Sequence, residues 1–174
     1  MSKQVGLSGL TIAWFLISFV TVCIDAAFVI GRPGTLTTDQ LPFTMWQLYA
    51  THDKRYGDLT DAFVIAQSYV NFIEVGLQLL AVLLHFTGAR SAALSIAMCV
   101  SMATCLKTVL YGLMEEFDGH RFTKHNSTMD LWTMVIIPSS FWVTIPLYVV
   151  ANCMGKLQAK PIAAKKVSDD RKRK

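Results

Sequence analysis

The sequence predicts an all-α membrane protein, a bundle of four transmembrane helices around an amphiphilic pocket. Three observations carry this expectation. Of the 174 residues, 53% are hydrophobic and only 16% charged, with a mean hydropathy of +0.42, whereas soluble domains carry roughly 25% charged residues. The apolar residues gather in four blocks, 7–30, 62–86, 91–114 and 131–150. Each block meets the roughly 20 helical residues that a hydrocarbon core of about 30 Å demands. Finally, four such blocks leave too little polar surface to wrap them in water. The same composition argues against disorder, and 10 Gly with 5 Pro are too few for a collagen-like chain.

The first block follows Lys3 and has the look of a secretory signal, but signal cores span only about 7–15 residues and no convincing cleavage site follows. An uncleaved span is expected. A polar and aromatic stretch, 31–61, leads to the second block. Only 87–90 separates the second from the third, which forces an antiparallel hairpin, and 115–130 leads to the fourth. Residues 1–154 thus form one membrane domain, and 155–174 form a basic, disordered tail ending Asp-Asp-Arg-Lys-Arg-Lys.

With four spans, both termini share a side with the short turn. That side holds ten Lys and Arg residues against five on the other, so the positive-inside rule places the termini in the cytoplasm. The net charge of +4 is a property of the tail, explained by topology and anionic lipid without nucleic acid as a partner. Arg171 and Lys172 loosely resemble a dibasic endoplasmic-reticulum retrieval signal. Asn126-Ser127-Thr128 is formally a glycosylation sequon, though it lies close to the fourth span. Cys23, Cys99, Cys105 and Cys153 form no C-x-x-C pair and have no His at ligand spacing, so no metal site is expected.

Ionisable residues inside spans are the candidates for chemistry, since each costs at least about 2.5–3.5 kcal/mol to bury in a bilayer. There are three: Asp25, Glu74 and Lys107. The last two differ in depth by about five residues, or roughly 7 Å, which a lysine stem can cover. Either they form an ion pair, or Lys107 snorkels to the interface and leaves Glu74 facing a polar cavity. Glu115 and Glu116 come directly after the third span, on the side where Asp25 lies. If Glu115 and Asp25 face one cavity, their affinities for protons separate and they can serve as acid and base. In the fourth block, Pro138 and Pro146 free backbone carbonyls, which suits a helix lining protein or a cavity. Between them Trp142 offers a ring face suited to a cation.

The loop string Trp46-Gln-Leu-Tyr49-Ala-Thr-His-Asp53-Lys-Arg55-Tyr56 then matters. Together with Tyr111-Gly-Leu-Met-Glu115 and Phe141-Trp142-Val-Thr-Ile-Pro146, it resembles the emopamil-binding protein family, the EXPERA domain of sterol Δ8–Δ7 isomerases and sigma-2 receptor-like proteins. The resemblance covers about residues 10–152. It implies an endoplasmic-reticulum protein with a sterol-sized apolar pocket. There a ring double bond moves by protonation and deprotonation through a carbocation, without a cofactor. On this pattern Glu115 and Trp142 fall on the catalytic Glu and the cation-facing Trp, and Asp25 on a second carboxylate. Thr21 stands where the family has His, and Ser139 where it has Asn; Ser68 and Thr108 stand where it has acidic residues. The remaining candidate ligand contacts are Trp46, Tyr49, Glu74, Lys107 and Tyr111. Three activities follow from the resemblance: sterol isomerisation, related carbocation chemistry on another terpenoid, and sterol or amphiphile binding without turnover. Homodimerisation is left open.

Overall fold

The computed structural model describes residues 6–172, with side chains through Ala159. The chain is 81% helical, with no strand among the described residues, and four helices are long and apolar enough to cross a membrane. It is a multi-pass membrane protein.

Helix α1, Gly9–Ile30, starts where the Ser8 hydroxyl accepts from the Thr11 amide at 3.1 Å. After the bend at 31–33 come two short helices, α2 (Gly34–Thr37) and α3 (Phe43–His52), and a 3₁₀ turn, Lys54–Tyr56. The Asp61 carboxylate caps α4, Ala62–Phe86, by accepting from the Val64 amide at 2.8 Å. The turn into α5, Arg90–Phe117, passes through Gly88 at φ +92°, a conformation that a Cβ disfavours. Beyond Ser127, which caps the single turn α6 (Thr128–Asp130), a π-helical segment Leu131–Ile136 leads into α7, Ile137–Lys172. The wide π turn directly precedes Pro138, whose ring cannot fit beneath a regular helical carbonyl ladder.

Two boundaries differ from the sequence expectation. The third spanning helix does not stop at 114 but continues to Phe117, so Glu115 is a buried residue within the helix and not one beyond its end. Its charge reads as an exit signal, yet the returning loop supplies it with partners. The last helix passes through 150 and Gly155 without a break, and the apolar span Thr128–Ala159 runs from α6 through the π-helical segment into α7. Lys3, Arg173 and Lys174 lie outside the described residues, as do the side chains of 160–172.

Helix α4 packs between α1 and α5, and α5 also packs against α7. Helices α1 and α7 meet through Trp14 and Trp142, edge to face at 5.2 Å. The inward faces follow helical periodicity: Ser18, Val22 and Asp25 on α1; Asn71, Glu74 and Gln78 on α4; Ser101, Thr104 and Lys107 on α5. Toward the termini the core is apolar, with Phe15, Leu94 and Val149 fully buried and Ala81, Ala93 and Ala97 allowing close helix approach. Residues pointing away from the bundle, such as Ile17, Ile73 and Leu106, are large, apolar and exposed, as lipid contact requires.

The loops at the other end form a cap. Arg32 donates to the carbonyls of Val29, Tyr56 and Asp58 at 2.8–2.9 Å. The two loops are joined by the Lys54 amide to the Phe122 carbonyl at 3.2 Å, and by the Asn126 side chain to the His52 carbonyl at 2.7 Å. Asn126 also donates to Thr123, so the amide of the sequon is committed to the cap.

Candidate functional site

The candidate residues fall into two linked polar groups. The first crosses three spans. Asp25 accepts from the Trp46 indole at 3.0 Å and from the Asn71 amide at 3.4 Å. Asn71 in turn accepts from Lys107, whose ammonium also meets the Glu74 carboxylate at 2.5 Å. Gln78 donates to Glu74 at 3.5 Å. Of the two alternatives for Lys107, the ion pair is therefore the one adopted. A chain of polar contacts thus runs from the cap through Asp25, Asn71, Lys107 and Glu74 to Gln78, at the depth of hydrocarbon.

The second group lies in the cap and centres on Asp53 and Arg55, both almost wholly buried. Asp53 accepts from the Tyr111 hydroxyl at 2.5 Å, from Tyr49 at 3.4 Å and from the Arg55 amide at 3.1 Å. The Arg55 guanidinium sits 4.5 Å from the Phe122 ring centre and 5.1 Å from that of Tyr111. It pairs with Glu115 at 3.5 Å and Asp61 at 3.8 Å. Glu115 accepts, at one oxygen, from the Phe122 amide, the Thr123 amide and the Thr123 hydroxyl at 2.8–2.9 Å. It is a fastener for the second loop.

Asp25 and Glu115 therefore have separate partners. Tyr49 and Tyr56 connect the groups: their rings meet edge to face at 4.9 Å, and the phenols stand beside both Asp25 and Asp53. Burial and these two carboxylates push both phenols well above their usual range, so each stays a proton donor. Ser139 stands beside the Tyr49 hydroxyl. Trp142 lies one helical turn deeper on α7, half-buried against Trp14. Thr21, one turn from Asp25 on α1, is half-buried as well. Trp46, Tyr49, Ser139 and Tyr111 thus surround the upper end of the bundle, with Trp142 below them.

The chain matches no protein-family model and no curated protein. Among the described residues no cluster of His, Cys, Asp or Glu could hold a metal ion, and the four cysteines are free thiols. What the arrangement offers is an intramembrane carboxylate outside the ion pair, Asp25, with donors on two sides and the Lys107–Glu74 pair one residue removed.

Sequence reasoning missed Asn71, Arg55 and Asp53 as members of the site. Asn71 was detectable, because Asn71, Glu74 and Gln78 recur at helical spacing inside an apolar run. Arg55 and Asp53 stood in the loop string, but burial of a loop arginine leaves no periodic trace.

Burial holds the Asp53 carboxyl above the ordinary carboxylate range, although the Tyr111 hydroxyl and Arg55 amide pull the other way. A raised carboxyl adds stability below its unfolded pKa and loses it as pH rises through the folded value. Wild type should therefore gain over Asp53→Asn as pH falls from neutral into the window just above the usual aspartate pKa. Paired thermal melts across that window check the sign; a gap that narrows toward acid contradicts it.

Proposed function

We propose that the chain is a sterol Δ8–Δ7 isomerase-like protein of the endoplasmic-reticulum membrane, with both termini cytoplasmic. It takes a sterol or similar apolar polycycle between its spans. The supporting observation is the intramembrane Asp25 carboxylate, positioned by Trp46 and Asn71 with the Tyr49 and Tyr56 phenols beside it. A carboxylate kept there against its desolvation cost is best explained by a ligand or reaction that needs it. The resemblance of the loop string to emopamil-binding proteins supplies the ligand class.

In this reading one proton is delivered to a ring alkene carbon and another leaves a neighbouring C–H, with no net change in protons. Asp25 is the proton-transfer group: its protonated carboxyl gives the proton to the alkene carbon, and the carboxylate so formed takes up the proton that leaves the neighbouring carbon. Asn71 links Asp25 to the Lys107–Glu74 pair. The Trp142 face stabilises the intervening cation. Glu115 has no part in the chemistry, since its oxygens are committed to Arg55 and the loop amides. That same commitment favours a second reading, binding of a sterol or amphiphile without turnover, because it leaves one carboxylate where two were expected.

Expression in a yeast strain lacking its own Δ8–Δ7 isomerase separates the two. The isomerase reading expects Δ7 sterols to return, and to be lost again with Asp25→Asn at equal protein level. Saturable sterol binding by a well-expressed protein that restores no Δ7 sterol leaves the binding reading alone standing.

A further inference from the structure

Below Glu74 the polar chain continues to three side-chain oxygens that have no hydrogen-bond partner. The Ser18 hydroxyl on α1, the Gln78 carbonyl oxygen on α4 and the Ser101 hydroxyl on α5 are buried without a hydrogen bond, in residues at most 1% exposed. They stand within about one helical turn of one another in depth. Counted from the terminal ends of their helices at about 1.5 Å per residue, they stand at about 14, 12 and 17 Å. All three lie on inward faces: Ser18 is two turns from Asp25, Gln78 one turn from Glu74, and Ser101 under two turns from Lys107. Beneath this level the bundle closes with Trp14, Phe15, Leu94, Ala97 and Val149.

An oxygen buried in apolar surroundings without a donor is strongly disfavoured, and buried polar groups in folded proteins are otherwise nearly always satisfied by protein or ordered water. Three orphaned oxygens within about one helical turn of depth, adjoining a chain that is satisfied throughout, have a single economical explanation. We propose that Ser18, Gln78 and Ser101 bind a small cluster of buried water in mid-bundle, donors and acceptors alternating between the hydroxyls, the Gln78 carbonyl and the waters. Water suits the site better than a cation, because the Lys107 ammonium already neutralises Glu74 at the adjacent turn.

The consequence is a one-sided hydrated path. Polar contacts connect the cap to this cluster through Asp25, Asn71, Lys107 and Glu74, and the apolar layer around Trp14 and Phe15 ends the path toward the termini. Protons exchanged at Asp25 or Glu74 then equilibrate with the cap side only.

The test is water-edited solid-state NMR of the full chain in phosphatidylcholine bilayers, with the glutamine and serine side chains labelled. Magnetisation from water should reach the Gln78 side-chain amide and Ser101 as quickly as it reaches the cap, and the transfer to Gln78 should fall in Ser101→Ala. Gln78 remaining without transfer in the wild-type protein overturns the proposal, and this arm needs no variant to fold. Melting temperatures give an independent reading. Ser18→Ala and Ser101→Ala should each lower Tm by roughly 2–4 °C, because the water loses a partner while the others stay unsatisfied. If the oxygens are plain orphans, each substitution raises Tm instead, which also overturns the proposal.

Discussion

Glu115→Ala should cost the protein about 3–5 kcal/mol of stability, the range observed when one partner of a buried ion pair is removed. The side chain serves two functions. It is the closest countercharge to Arg55, a guanidinium only 2% exposed, whose other carboxylate, Asp61, stands at 3.8 Å. It also accepts from two backbone amides and a hydroxyl of the second loop. Without it the cap retains a buried cation and two orphaned amides. Glu115→Gln preserves an acceptor for those amides and loses only the charge, so its cost should be smaller, about 1–3 kcal/mol. Thermal or denaturant unfolding in detergent measures both. The result that sinks this assignment is specific: Glu115→Gln as stable as wild type but unable to support sterol conversion. That outcome would put Glu115 back into the chemistry.

The second large effect belongs to Lys107 and Glu74. Lys107→Met leaves Glu74 as an uncompensated carboxylate in the spans, and Glu74→Leu leaves Lys107 with the neutral Asn71 and only the more distant Asp25 carboxylate. Each should lose about 3–5 kcal/mol. The double variant removes both charges from the hydrocarbon layer and should recover most of that loss, giving a coupling energy on the order of several kcal/mol. Asn71 loses its lysine in Lys107→Met and in the double variant but keeps it in Glu74→Leu, so that loss cancels from the coupling energy. Additive losses would show that the two residues are stabilised separately.

The spans were legible because hydropathy is a bulk property that needs no partner. The second block, 62–86, coincides with α4 to the residue. The ends were less legible, and for a physical reason. The helix through Glu115 and Glu116 looks finished in sequence because two carboxylates follow an apolar run, yet loop amides and an arginine distant in the chain allow the helix to carry one of them indoors. Helices α2 and α3 left no readable pattern, since they are short and are held by tertiary contacts such as the Gln47 amide to the carbonyls of Thr35 and Thr38. At the site, Asp25, Glu74 and Lys107 stood out simply by being charged in an apolar setting. That Glu115 faces the cap, while Asp25 faces the spans, depends on how two loops fold over each other.

The partnership of Arg55 and Glu115 also sets an order of events during synthesis. The two residues are 60 positions apart, an interval of roughly 3–12 s at 5–20 residues per second. Until Glu115 has been made, Arg55 lacks its principal countercharge and is best solvated in water, so the first loop waits open at the membrane surface. The amides of Phe122 and Thr123 emerge a few residues later and complete the same carboxylate's set of partners. Closure of the cap over the bundle is thus timed by the ribosome's progress past the third span, and the interior gains its roof only after three of its four helices exist.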